Sequence, residues 1–245
     1  MRKIGLGAAI FAVCMMGWGI LSLIYHDFAM NWQPVPAGIP DRAALAYLSG
    51  AMLLAGGAAL FWRRSAAFGA GLLAANLLVW IVLLQVPQVI AGFRHEGAWL
   101  GLGETLVLFS GAWILFCARI SSPRAALGIR IGKYLFAVAL IPIGLSHMVY
   151  ADVTAGMVPG WLPFHMPFAW LTGAAHIAAG VAIIAGVLPQ LAALLEAVMM
   201  SLFTLLIWLP GIVAAPMDRF HWTAFFASAA ISGAAWVVSD TLRRE

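Results

Sequence analysis

Eight apolar stretches, each about as long as a bilayer crossing requires, dominate this chain and leave little outside them. A helix needs roughly 20 residues to span hydrocarbon, and runs near 4–25, 43–62, 67–88, 99–118, 132–151, 167–187, 191–213 and 222–240 meet that length. Between them there is too little charge to coat a soluble fold. Charged residues make up 9% of the chain and hydrophobic residues 64%, against about 25% charged in an ordinary soluble domain. The partner of most of this surface is the lipid bilayer. The fold class expected is an all-α polytopic membrane protein with eight transmembrane helices.

The net charge of +4 would suggest nucleic acid in a soluble protein; here the placement of the charges matters more than their sum, and no nucleic-acid partner is expected. With the ends and even-numbered turns on one side, that side holds Arg2, Lys3, Arg63, Arg64, Arg119, Arg124, Arg130, Lys133, Arg243 and Arg244. The other side holds Arg42, Arg94 and Arg219. Positive residues collect on the cytoplasmic side of membrane proteins. The expected topology is multi-pass in the plasma membrane, with both termini cytoplasmic. Met1-Arg2-Lys3 before an apolar run also resembles the start of a signal peptide. The run is long for one and no small-x-small cleavage site follows, so the first span is expected to be retained.

Cys14 and Cys117 lie in separate apolar runs. Without a C-x-x-C pair, the chain lacks the parts of a thiol relay.

Displaced by 123 residues, the chain aligns with itself. Ala46-Tyr47-Leu48-Ser49-Gly50-Ala51 falls on Ala169-Trp170-Leu171-Thr172-Gly173-Ala174, and Gly57, Pro87, Trp99 and Trp113 fall on Gly180, Pro210, Trp222 and Trp236. With a two-residue adjustment, Gly19, Tyr25, Asp27 and Pro34 meet Gly144, Tyr150, Asp152 and Pro159. Apolar residues align easily by accident; tryptophans and prolines at a constant offset do not. Two copies of a four-helix bundle are expected, residues 1–120 and 134–245, joined by a basic cytoplasmic linker at 121–133. An even number of spans per copy makes the repeats parallel.

The stretches Gly144-Leu145-Ser146-His147-Met148, Met157-Val158-Pro159-Gly160-Trp161-Leu162-Pro163 and Leu171-Thr172-Gly173-Ala174-Ala175-His176-Ile177 resemble the DoxX-like family of bacterial membrane proteins. That family carries G-x-x-H near the end of one helix, a short M-V-P-x-W-L-P connection, and T/S-G-x-x-E on the next helix. His176 stands where the family usually has Glu. The first half keeps Pro34 and Ser49-Gly50, with Ser22 in place of the histidine and Leu53 in place of the acid. The resemblance implies a four-helix inner-membrane unit, in some members tied to quinone-linked oxidoreductase complexes.

Ionisable groups at membrane depth cost a few kcal/mol each and need a reason. Four stand out: Glu104, His147, His176 and Glu196. At 1.5 Å per residue, Glu104 and His147 lie roughly 7 Å below the outer end of their spans and His176 about 14 Å. His147 and His176 have no counterparts in the first copy. With Thr172 and Glu104 they make a candidate ligand-binding set: imidazoles that hydrogen-bond a quinone head group or pass it protons, with Glu104 joining across the seam. The competing reading has both histidines satisfied by Ser146, Thr172 or backbone carbonyls, and Glu104 paired with Arg94 or Arg219. Glu196 is expected to snorkel or to meet a basic loop residue. No metal site is expected, since no histidine pair has ligand spacing. A bis-histidine haem is opposed by the roughly 7 Å difference in depth between His147 and His176. No catalytic residue is identified, because no nucleophile–base pair is present.

Two function classes remain. One is a quinone- or hydrophobic-ligand-binding membrane subunit of an oxidoreductase system, with a partner subunit handling the polar substrate. The other is a non-enzymatic carrier or scaffold for an apolar small molecule or a membrane complex.

Overall fold

A computed structural model of the chain describes residues 4–243; the expectations placed on Arg2, Lys3 and Arg244 fall outside the described residues. Regular structure among the described residues is helical throughout. Eight helices are long and apolar enough to cross a membrane: α1 Leu6–Tyr25, α2 Arg42–Ala59, α3 Ala66–Ala91, α4 Glu96–Cys117, α5 Ala125–Val149, α6 His165–Ala185, α7 Pro189–Ala214 and α8 Arg219–Leu242. In hydrocarbon each backbone N–H and C=O must be satisfied within its own segment, which a helix does and an open strand does not. The turns carry the stop signals. Gly186, at φ +71°, ends α6, with Val187 N–H on Ala182 O at 2.9 Å. Pro189 then opens α7, and Asp218 caps α8 by accepting from Phe220 N–H at 2.7 Å.

Each helix packs against the next in sequence, α8 closes against α1, and α4 meets α8 across the middle. Gly5 of the first turn lies beside Asp240, so the beginning of α1 and the end of α8 share one end of the bundle, the terminal face. The tightest passages are glycine contacts. A methyl group built on Gly173 would lie 2.7 Å from Gly144 O and 2.9 Å from His147 Cβ. One built on Gly50 would lie 2.9 Å from Ser22 Cβ and 3.1 Å from Gly19 O. Helices in lipid associate through such backbone approach, because lipid removes the hydrophobic drive between them.

Both α3 and α7 contain one π-helical turn, Ile81–Gln85 and Thr204–Trp208. Each turn stands just ahead of a proline, Pro87 or Pro210. A proline ring collides with the carbonyl four residues back and cannot donate to it. Widening the preceding turn relieves both problems while the helix continues. Helix boundaries in this region recur 123 residues apart: Ala66–Trp80 with Pro189–Phe203, and Val86–Ala91 with Leu209–Ala214.

The expected linker at 121–133 is shorter in the structure. Helix α5 begins at Ala125, seven residues ahead of the expected start at 132. Ala125-Ala126-Leu127 are strong helix formers, so Arg130 and Lys133 lie on the helix; Lys133 is buried.

Candidate functional site

The close approach at Gly144 and Gly173 holds α5 against α6 and sets their polar residues side by side. His147 Nδ1 lies 2.9 Å from Thr172 Oγ1. The Thr172 hydroxyl spends its own proton on the Phe168 and Ala169 carbonyls, at 2.9 and 3.1 Å. With its proton there, the hydroxyl oxygen accepts and His147 donates from Nδ1. One turn deeper, His176 is 1% exposed. Its Nδ1 lies 2.9 and 3.1 Å from the two carboxyl oxygens of Glu196 on α7, while its Nε2 is buried with no hydrogen-bond partner. The two imidazoles meet edge to face, with ring centroids 5.0 Å apart and planes at 79°. Phe203 stacks on His147 at 6.0 Å and meets His176 edge-on at 6.2 Å.

Both histidines line a cavity of about 750 Å³. Its wall is mostly apolar, from Leu100, Ile143, Met199, Met200 and Phe203 among others, with polar groups at Glu104, Thr172 and Ser228. Leu171, Leu202 and Leu206 line it and are also exposed. Its rim between α6 and α7 thus meets the apolar perimeter, which suits a ligand arriving from lipid. At the end opposite the terminal face, Tyr150, Met157 and Trp32 roof it.

Trp32 comes from the 26–41 connection, which is pinned in place. Gln33 Nε2 donates to Ser49 Oγ at 2.9 Å, and Gln85 Nε2, from the π-helical turn of α3, donates to Trp32 O at 3.2 Å. Asp27 takes Arg42 Nη2 at 2.7 Å and Arg219 Nη1 at 3.6 Å. Burial alone would raise the Asp27 carboxyl, but the Phe28 N–H and the two guanidinium groups hold it below its ordinary value. The buried Trp32 indole N–H makes no hydrogen bond of ideal geometry but interacts with the Glu104 carboxyl, which lines the same cavity.

All four expected ligand-binding residues, His147, His176, Thr172 and Glu104, reach this one cavity. Three expectations need correction. Glu196 does not snorkel to a loop: it is 1% exposed and bonded to His176. Arg219, one of the two arginines weighed as a partner for Glu104, is committed to Asp27 and to Phe28 O. The expected depth offset between the histidines is also closed, since their rings touch. That edge-to-face contact leaves no slot between them for a porphyrin. Among the described residues no group of three or more His, Cys, Asp or Glu is arranged to hold a metal ion.

At offsets of 125 and 123 residues, the positions matching His147, Thr172, His176 and Glu196 are Ser22, Ser49, Leu53 and Leu73. Leu53 and Leu73 are fully buried. The positions matching Ile143 and Phe203 are Trp18 and Trp80, both buried, with ring centroids 5.8 Å apart. Where the second half carries the His176–Glu196 pair, Ile143 and Phe203, the first half carries leucines and indoles, while Ser22 and Ser49 remain polar and Ser49 accepts from Gln33. No protein-family model, curated protein or solved structure matches the chain.

Proposed function

We propose that the chain is a DoxX-like membrane protein of two parallel four-helix units, residues 1–120 and 134–245, whose second unit holds an apolar ligand of the quinone class. The observation that carries the reading is the replacement of a buried Leu53–Leu73 pair by a His176–Glu196 pair at the edge of a cavity. Placing two ionisable side chains deep in a bundle is costly unless they are paired and used. An apolar alternative at the same register stands in the same chain.

The duplication is supported by the matched π-helical turns and glycine contacts, and by the Trp99 and Trp222 indoles, which donate to Phe93 O and Pro216 O at 3.0 and 2.8 Å. The π-helical turns and the indole bonds recur at 123 residues, and the glycine contacts at 123 on one helix and 125 on the other. Arg63, Arg64, Arg119, Arg124, Arg130, Lys133 and Arg243 lie toward the terminal face, and Arg42, Arg94 and Arg219 toward the other. That bias favours a cytoplasmic terminal face in a bacterial inner membrane. The ligand enters laterally from lipid between α6 and α7, its ring lies among Ile143, Met200 and Phe203, and its oxygen substituents meet the imidazoles. A partner oxidoreductase subunit handles the polar substrate and the electrons.

The test is native mass spectrometry of gently solubilised protein, paired with melting curves in added decylubiquinone. Co-purifying quinone, or a melting temperature that rises with quinone in wild type and not in His176→Ala, supports the reading. No bound quinone together with an unchanged melting temperature overturns it.

A further inference from the structure

We infer that the site is built for the hydroxyl-bearing, reduced form of its ligand, a hydroquinone, and discriminates against the quinone. The inference rests on the quinone-class reading above and follows from where the protons of the two imidazoles must be.

Thr172 settles the first ring. Its hydroxyl bonds back to two carbonyls of α6; with the proton there its oxygen accepts, and we place the proton of the first ring on His147 Nδ1. The Nε2 of a neutral His147 is then a lone pair, an acceptor.

Glu196 settles the second ring. The pair is 1% exposed on both sides, where a net charge is expensive and a net-neutral pair is not. Three net-neutral arrangements exist: imidazolium with carboxylate, neutral imidazole accepting at Nδ1 from a carboxylic acid, and neutral imidazole donating from Nδ1 to the carbonyl oxygen of the acid. The third leaves the buried acid proton without an acceptor, since both carboxyl oxygens face the same ring nitrogen; the first two both carry a proton on His176 Nε2. That nitrogen is buried without a partner. Glu196, which holds Nδ1, does not line the cavity and His176 does, so we place Nε2 on the cavity side of the ring, where a small turn of the side chain uncovers it.

The cavity therefore presents one acceptor and one donor on rings whose centroids are 5.0 Å apart. A hydroxyl answers both at a single oxygen, donating to His147 and accepting from His176. A quinone carbonyl can only accept; it satisfies His176 and sets its lone pairs against those of His147. A methyl ether fails in the same way. Sites built to bond a hydroxyl reject analogues without it strongly, because a buried polar group is left unpaired.

The experiment measures binding to the full-length protein in nanodiscs, under anaerobic conditions, with empty nanodiscs as the blank. The probes are decylubiquinol, decylubiquinone and the dimethyl ether of decylubiquinol. The expected result is quinol binding at least about tenfold tighter than quinone or ether. In Thr172→Val, His147 loses the acceptor that fixes its tautomer and can turn a proton toward the cavity. The quinol preference is then expected to fall to within about threefold or to invert. Quinone binding as tight as quinol in wild type overturns the inference while leaving the quinone-class reading standing. A tenfold preference that survives intact in a folded Thr172→Val overturns the tautomer argument. Binding of none of the three overturns the quinone-class reading and the inference with it.

Discussion

His176 Nδ1 lies 2.9 Å from Glu196 Oε1, a contact between two side chains each about 1% exposed and carried on consecutive helices. Breaking such a pair from one side leaves an uncompensated polar group in a low-dielectric interior, at a cost of about 3 kcal/mol or more. Replacing both partners with apolar residues of similar volume is often neutral or stabilising. The first half already contains that replacement, as Leu53 and Leu73. His176→Leu and Glu196→Leu are each expected to lower the unfolding midpoint in a detergent titration. The double variant is expected to return to the wild-type midpoint or exceed it, with ligand binding lost. A double variant less stable than either single one sinks this account of the pair.

The two glycine contacts give a second comparison. Overpacking a tight interface costs about 1–3 kcal/mol, and both Gly50→Ala and Gly173→Ala are expected to fall in that range. Only Gly173 abuts His147, whose Cβ lies 2.9 Å from the added methyl group. Gly173→Ala is therefore expected to weaken ligand binding as well as stability, and Gly50→Ala stability alone. Equal loss of binding in both variants would place the ligand elsewhere.

Much of this was legible before the structure. Eight spans follow from apolar run length alone, and His147, His176, Thr172 and Glu104 stand out because polar groups in an apolar helix are rare. Glu196 reads as a partner for a loop residue only while depth is reckoned along one helix at a time. Counted from the turn at 186–188, His176 lies nine residues back from Ala185 and Glu196 seven residues on from Pro189, so the two share a depth on neighbouring helices. That match in depth lies in the sequence. The contact between His147 and His176 is not legible there, because the side chains reach across an axial offset of about 7 Å that rise per residue predicts. Nor are the π-helical turns, since a proline in a span signals only that some adjustment follows.

At the face opposite the termini, Asp27 joins Arg42 and Arg219 and so ties the connection carrying Trp32 to the start of α8. Its carboxyl is held below the ordinary value of 3.8, so the folded state favours the charged form. The resulting stability is complete above the unfolded value and is lost as pH falls through the lower, folded one. Asp27→Asn is expected to lower stability at neutral pH by about 1 kcal/mol, the scale of a solvent-screened ion pair. It is also expected to flatten the acid side of the stability profile below pH 4. A profile identical to wild type between pH 7 and pH 3 would show that this cluster contributes nothing.

The last comparison uses the cavity itself. Ile143 lines it, and the matching position in the first half is the buried Trp18. Adding bulk to a packed core normally forces strain, but a wall of a 750 Å³ cavity has room for an indole. Ile143→Trp is expected to fold with an unchanged or raised unfolding midpoint, because new apolar contacts form where none existed. Binding of decylubiquinol is expected to be abolished, since the indole takes the volume of the ligand ring. The polar residues are untouched in this variant, so loss of binding isolates occupancy from hydrogen bonding. Full binding retained in a folded Ile143→Trp protein would mean that the ligand does not lie beside α5, and would remove the cavity from the proposal.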